Sequence, residues 1–141
     1  MQRLLMRLLL GRWLPKPPVT LPDDTLDQPD PSDGVRSINR QRQLHGLRPL
    51  IAMTCLSVQA YGHSEQMQRR GRLSHDGFTL RLAACEFQAG SENVAWGQRD
   101  WSEACADWMT SSGHRRNMLG DWDFLGVGRS GVYYTAIFAR R

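Results

Sequence analysis

The end of the chain constrains the fold more than any other part of the sequence. The segments "FLGVG" (124–128) and "VYYTAIFA" (132–139) are rich in β-branched and aromatic residues, and only "RSG" separates them. Such a short break is typical of a hairpin, so the two predicted strands are antiparallel. Most of the chain before them has helical patterns. We therefore predict an α+β fold, in which a small antiparallel or mixed sheet is covered by helices.

Helical periodicity marks two elements in the first half of the folded region. Ser37 is placed to cap a helix that runs to His45, with Gly46 as its stop signal. The next helix carries a stripe of residues at three- and four-residue steps and is predicted to end near Gly71. The stripe consists of Met53, Leu56, Ala60, His63 and Met67.

The second half of the chain is predicted to contain a short helix, an extended stretch and two further helical segments, in that order. A short helix ends at Cys85, residues 87–97 have an extended pattern, and Asp100 and Glu103 then have the spacing of a capping box. The helix that they open is predicted to bury one face, which comprises Trp101, Ala104, Cys105 and Trp108. A last helical turn contains His114.

Composition and charge narrow the choice of partner. A chain of 141 residues that is 40 % hydrophobic suits one domain with a substantial core. No run approaches the roughly 20 apolar residues that a membrane span needs, so no transmembrane segment is predicted. The net charge of +4 favours anionic partners such as an acidic cell envelope. The basic residues form no stripe interleaved with aromatic residues, so nucleic acid is not a predicted partner.

Nearly all of the prolines precede the predicted helices. Residues 14–36 combine prolines with aspartates and lack apolar periodicity, which is typical of an extended linker. The folded domain is therefore predicted at residues 37–141. Residues 1–13, "MQRLLMRLLLGRW", form a basic, Leu-rich segment with three open interpretations. It is a signal peptide without a clear cleavage site, an amphipathic tail, or the remainder of a signal peptide whose front is cut off by a start codon assigned too late.

The three cysteines show no CxxC spacing, which argues against a structural zinc site and against a dense disulfide framework. Cys55, Cys85 and Cys105 each lie in an apolar helical context, where a free cysteine behaves as a small hydrophobic residue. The odd count leaves at least one thiol unpaired within the chain. A bridge between Cys55 and Cys105 is the one pairing that we considered.

Two of the four histidines have a structural interpretation. His45 lies at a predicted helix end, where an imidazole can meet free carbonyl groups. His63 lies on the apolar stripe, so a core histidine with one hydrogen bond is favoured over a ligand.

His75, Glu92 and His114 are the candidates for chemistry. His75 lies at a loop edge in "RLSHDG", and His114 follows "SSG" at the start of a helical turn. Glu92 lies in the apolar, strand-like segment "SENVAWG", where an unpaired buried carboxylate would cost several kcal/mol. It needs donors, for which the two histidines are the candidates. Alternatively, Glu92 lies at the sheet edge or caps the amides of its own segment.

Five segments, taken in order, resemble the superfamily of cysteine-rich secretory proteins, antigen 5 and pathogenesis-related proteins, the CAP or SCP domain, in its compact bacterial branch. They are "INRQRQLHGLRPL", "LSVQAYGHSEQM", "GRLSH" with "SENVAWG", "WMTSSGHRRNML" and "DFLGVGRSGVYYTAIFAR". The resemblance covers about residues 37–141. It implies a three-layer α-β-α sandwich with two histidines and two acidic residues around a cleft. The disulfide-forming cysteines of the eukaryotic branch are absent.

The resemblance also implies roles for individual residues. His75 and His114 match the two cleft histidines, and Glu92 matches the first acidic residue. Ser111 stands at the second acidic position, a variation that is common in the bacterial branch. Members bind divalent metal in this cleft, so the resemblance implies that His75 and His114 hold Zn²⁺ or another divalent metal. Glu92 would then orient a ligand or act as a base.

Two classes of function use the same residues. The class that we favour is a secreted or envelope-associated binding module, extracellular or periplasmic, with a lipid, glycan or protein ligand in the cleft. The alternative is a hydrolase of the protease or esterase type. In that case a cleft histidine is the base, Glu92 orients it, and Ser111 or Ser112 is the nucleophile.

Overall fold

Two layers of helices enclose a four-stranded sheet in the computed structural model, which describes residues 31–141. The helices are α1 (Pro31–Leu44), α2 (Thr54–Arg70), α3 (Phe78–Ala84), α4 (Trp101–Thr110) and α5 (Ser112–Met118). The strands are β1 (Ile51–Ala52), β2 (Ala89–Trp96), β3 (Phe124–Ser130) and β4 (Tyr133–Arg140). The predicted segment 1–13 and most of the predicted linker lie outside the described residues.

The order of the strands across the sheet is β1-β3-β4-β2. The predicted hairpin is confirmed: β3 pairs with β4 in antiparallel register, and Gly131 in the turn has a φ of 55°. β2 pairs with the other side of β4, also antiparallel, whereas the short β1 runs parallel to β3. The sheet is therefore mainly antiparallel, which confirms the predicted α+β class.

Side chains that point alternately to the two faces of the sheet produce the three layers. Tyr134, Ala136 and Phe138 of β4 face one side of the sheet and pack with residues of α1, α4 and α5. Ile137 and Ala139 face the other side, where α2 and α3 pack. Because successive side chains of a strand point to opposite faces, one fully buried strand serves both cores. This arrangement is the α-β-α sandwich that the resemblance implied.

The first helix begins earlier than the sequence predicted. α1 starts at Pro31, so Ser37, the predicted cap, lies inside the helix, and residues 31–36 of the predicted linker are helical. A proline suits the first turn of a helix, because the N–H groups of that turn have no partner within the helix. Asp33 lies in the same turn, where the helix dipole favours a negative charge.

The interpretation of the cysteines as free thiols is wrong for Cys55 and Cys85. Cys55, at the start of α2, forms a disulfide with Cys85 at the end of α3, with an S–S distance of 2.04 Å. The considered bridge from Cys55 to Cys105 does not form, because Cys105 belongs to the core on the opposite face of the sheet. Burial raises the pKa of Cys105 to about 12, so this free thiol is an inert core side chain.

A buried arginine holds the end of α5, the helix that carries His114. Arg42 is only 1 % exposed, and its guanidinium donates hydrogen bonds to backbone carbonyl oxygens rather than to a carboxylate. The acceptors are the carbonyl groups of Arg48, Met118 and Gly120, at 3.0, 3.0 and 2.8 Å. Arg42 of the segment "INRQRQLHGLRPL" therefore has a structural role.

Two glycines of β3 let the backbone of α2 lie directly on the sheet. A Cβ atom at Gly126 would lie 2.2 Å from the carbonyl carbon of Leu56. A Cβ atom at Gly128 would lie 2.1 Å from the backbone nitrogen of Tyr61. No Cβ atom fits at such distances, so a side chain here would force α2 away from the sheet.

We expect Gly128→Ala to lower the free energy of unfolding by about 1–3 kcal/mol, because the added methyl group overpacks this contact. Gly62→Ala is the matched control on α2 itself, since a Cβ atom at Gly62 has nothing within 4 Å. There, replacing a glycine in the helix interior should stabilise the protein by roughly 0.5–1 kcal/mol. Urea unfolding followed by tryptophan fluorescence measures the free energy of unfolding of both variants. A Gly128→Ala variant as stable as the wild type would contradict the close contact between Gly128 and α2.

Candidate functional site

The carboxylate of Glu92 is buried on the face of the sheet that α2 and α3 cover. Glu92 lies opposite Ile137 in the β2–β4 register, so the two side chains share that face. Its side chain is 1 % exposed. A carboxylate in this position needs partners, since burying it unpaired would be costly.

Arg81 of α3 is the main partner of Glu92. Its Nε donates to Oε2 at 2.9 Å, and its second terminal nitrogen donates to Oε1 at 2.8 Å and to Oε2 at 2.7 Å. The first terminal nitrogen donates to the carbonyl oxygen of Asp76 at 2.6 Å. Arg81 is 8 % exposed, so this is a buried, two-pronged ion pair.

His75 forms a hydrogen bond with the same carboxylate. It lies in the loop between α2 and α3, and its Nδ1 is 2.9 Å from Oε1 of Glu92. A carboxylate only accepts hydrogen bonds, so Nδ1 carries the proton. The imidazole is 54 % exposed, and Nε2 forms no hydrogen bond with the residues in the described part of the chain. His75 is therefore an oriented imidazole with its second nitrogen free.

His63 lies beneath this cluster, fully buried on α2. Its Nε2 donates to the carbonyl oxygen of Ser74 at 2.6 Å and lies 3.8 Å from Oε1 of Glu92. The prediction of a core histidine with one hydrogen bond is confirmed. By holding Ser74, His63 fixes the loop position next to His75.

His114 lies on α5, which contacts strand β2. The side chain of Asn93 donates to the carbonyl oxygen of His114 at 3.1 Å and accepts from Asn117 at 2.9 Å. These bonds attach α5 to the edge of the sheet. Burial lowers the pKa of His114, and the nearby charge of His75 lowers it further. His114 is thus near enough to His75 for electrostatic interaction, and the lowered pKa favours its neutral imidazole.

The other residues considered from the sequence have smaller roles. The hydroxyl of Ser111, between α4 and α5, forms no hydrogen bond to either cleft imidazole in the residues described. The Nδ1 of His45 donates to the carbonyl oxygen of Gln41 at 2.8 Å, so its predicted structural role is confirmed. The structure thus joins Glu92 to His75, whereas no hydrogen bond joins Glu92 to the imidazole of His114 within residues 31–141.

Sequence reasoning missed Arg81. It considered imidazoles and backbone amides as donors to Glu92 and did not consider a guanidinium from a neighbouring helix. The available signal was a single arginine between Leu80 and Leu82, in a short apolar helix just before the strand. Such an isolated charge is a candidate partner for a buried carboxylate.

The chain matches the family described as CAP, Cysteine-rich secretory protein family, over residues 35–136. It is 34 % identical over 108 residues to the uncharacterized membrane protein YlbC of Bacillus subtilis (strain 168), covering 71 % of this chain and 31 % of YlbC. It is 32 % identical over 114 residues to the uncharacterized protein YkwD of the same strain, covering 74 % and 44 % of the two chains. The chain therefore spans less than half the length of both relatives.

Solved structures have the same fold. An extracellular protein containing an SCP domain from Bacillus anthracis str. Ames has a TM-score of 0.70 at 33 % identity, covering 78 % of this chain and 41 % of that chain. A cysteine-rich secretory protein from Staphylococcus aureus subsp. aureus Mu50 has a TM-score of 0.73 at 23 % identity, covering 82 % of this chain and 40 % of that chain. An outer surface protein from Borrelia burgdorferi has a TM-score of 0.71 at 18 % identity, covering 81 % of this chain and 97 % of that chain. The last two support the fold alone.

None of the helices within residues 31–141 is long and apolar enough to cross a membrane. The family match extends over most of the chain and includes Arg81, His75, Glu92 and His114. The observed sandwich agrees with it. The chain belongs to the cysteine-rich secretory protein (CAP) family, and its domain is of the bacterial SCP type.

Proposed function

We propose that this domain is an extracellular or envelope-associated binding module whose cleft holds its ligand through His75 and His114, with a divalent metal ion between ligand and protein. The ligand is a lipid, a glycan or a protein. The observation that carries the proposal is the hydrogen bond from His75 Nδ1 to Glu92, which leaves Nε2 of an exposed ring free for binding.

The proposed metal site has two imidazole ligands, those of His75 and His114. A carboxylate that holds the far nitrogen of a histidine is a common arrangement behind metal ligands, because it fixes the tautomer and the ring orientation. The lowered pKa of His114 keeps its imidazole neutral, as a ligand requires. No group of three or more His, Cys, Asp and Glu side chains within residues 31–141 is arranged to hold a metal. His75 and His114 would therefore bind it as a pair and leave positions for water or ligand, where the metal supplies Lewis acidity.

Three observations support a location outside the cytoplasm. The disulfide between Cys55 and Cys85 suits an oxidising compartment. The Bacillus anthracis structure, similar at 33 % identity, is that of an extracellular protein. The net charge of +4 suits an anionic envelope surface.

The hydrolase alternative has less support. A serine nucleophile needs a hydrogen bond to its base, and none joins Ser111 to His75 or His114 in the described structure.

Titration calorimetry with Zn²⁺ tests the proposal. We expect the wild-type protein to bind one ion with an affinity in the micromolar range, about −8 kcal/mol. His75→Ala and His114→Ala should each weaken binding by at least about tenfold, because each removes one of two ligands. Affinity should fall as the pH is lowered, since protons compete for the imidazoles.

His45→Ala is the matched control, because His45 is a surface histidine that bonds to Gln41 and Arg115 rather than to the cleft. It should bind zinc as the wild type does. Equal heats in the wild type and in the double variant His75→Ala/His114→Ala would overturn the proposal.

A further inference from the structure

We propose that Arg81 is the positioning residue of the cleft: by occupying both oxygens of Glu92, it determines which nitrogen of His75 faces the ligand. The inference rests on the proposed function, because it concerns how the cleft presents its binding atom. Arg81 itself does not touch the ligand, since its side chain is almost completely buried.

The first step is the geometry at the carboxylate. Arg81 approaches Glu92 with Nε and one terminal nitrogen, so three hydrogen bonds of 2.7–2.9 Å cross the pair. A guanidinium is planar and rigid, and its fork matches a carboxylate in one plane. Glu92 therefore has its two oxygens fixed in space, and Oε1 presents its remaining acceptor direction to His75.

The second step is the effect on His75. Because Oε1 can only accept, the ring nitrogen that faces it must carry the proton, and in a neutral imidazole the other nitrogen then has a free lone pair. Nδ1 faces Oε1 at 2.9 Å, so Nε2 is the nitrogen with the lone pair. A carboxylate that could rotate would fix neither the tautomer nor the tilt of the ring.

The third step is that Arg81 also holds the loop beneath His75. Its first terminal nitrogen donates to the carbonyl oxygen of Asp76, the residue after His75, at 2.6 Å. One guanidinium thus anchors both the acceptor of the imidazole and the backbone that carries the ring. A lysine has no fork and cannot make these bonds together.

The wild-type protein provides the first test. In the full chain labelled with ¹⁵N at histidine, long-range ¹H–¹⁵N NMR spectra identify the protonated nitrogen of each ring. We expect His75 to carry its proton on Nδ1 without metal. A His75 ring with its proton on Nε2, or with an equal mixture of the two tautomers, would overturn the proposal, and this measurement does not depend on any variant.

Arg81→Lys provides the second test. The variant keeps the positive charge, and we expect the proton of His75 to distribute over both ring nitrogens and the zinc affinity to fall by about 10–100-fold. Arg72→Lys is the matched control, because Arg72 bonds to the exposed side chain of Asp76 at 3.1 Å. It should change neither readout.

The two readouts separate the two proposals. If zinc does not bind the wild type but Arg81→Lys changes the tautomer of His75, the positioning role stands and the proposed function fails. If zinc binds the wild type and Arg81→Lys alters neither tautomer nor affinity, the positioning role is overturned and the proposed function stands. If Arg81→Lys does not fold, the tautomer in the wild type decides.

Discussion

Glu92→Ala is expected to lower the free energy of unfolding by about 3–5 kcal/mol, because it leaves the guanidinium of Arg81 buried without its counter-charge. Both partners of the ion pair are buried: Glu92 is 1 % exposed and Arg81 is 9 % exposed at the side chain. Bulk water therefore has little access to the guanidinium of Arg81. Urea unfolding monitored by tryptophan fluorescence gives the change in free energy.

The double variant Arg81→Met/Glu92→Leu separates the cost of an orphaned charge from the value of the pair. Replacing both partners with apolar side chains should recover most of the stability that Glu92→Ala loses, since a buried pair itself contributes little net stability. Glu103→Ala is the surface control: it removes the ion pair with Arg99, which is 87 % exposed, and the hydrogen bond to the Arg99 backbone amide, and should cost about 1 kcal/mol. A Glu92→Ala variant no less stable than Glu103→Ala would contradict a closed ion pair.

The double variant also tests why the ion pair is present. If it folds well but loses the Nδ1 proton preference of His75 and binds zinc weakly, the charge pair serves the cleft rather than the core. A buried ion pair adds little net stability, because desolvating both charges offsets their attraction. The presence of the Arg81–Glu92 pair is therefore consistent with a role in orienting His75.

The local parts of the fold could be predicted from the sequence, whereas pairings between distant segments could not. The β3–β4 hairpin and the buried stripe of α2 are confirmed, because strand alternation and helical periodicity are properties of short windows. Strand β1 was missed, because its two residues acquire their extended pairing from Phe124 and Leu125, far along the chain. The bridge between Cys55 and Cys85 is of the same kind, since two helix ends must converge to form it.

The candidate site, too, could be predicted only in its local features. The need of Glu92 for a donor could be inferred from its apolar strand, and His75 was named correctly as one donor. Arg81 could not be placed, since a helix pattern does not tell which sheet residue the helix faces. The roles of His75 and His114 in binding stay predictions that the zinc titration tests.

The disulfide between Cys55 and Cys85 is expected to contribute about 3–4 kcal/mol to the free energy of unfolding, because it closes a segment of 30 residues in the unfolded chain. That segment contains His63, His75 and Arg81, and the bridge joins α2 to the end of α3. Loosening α3 would therefore release Arg81 as well as destabilise the fold. We expect reduction with dithiothreitol to lower the midpoint of urea unfolding and to weaken zinc binding together.

The double variant Cys55→Ala/Cys85→Ala supplies the control for this prediction, since dithiothreitol should have no further effect on it. In the oxidised protein, unfolded in urea without reductant, a thiol assay should find one free thiol, that of Cys105. Three free thiols in protein prepared from an oxidising compartment would show that the bridge does not form. The proposed location outside the cytoplasm would then rest on the relatives and the net charge, because the bridge between helix ends is the one feature of the described fold that depends on an oxidant.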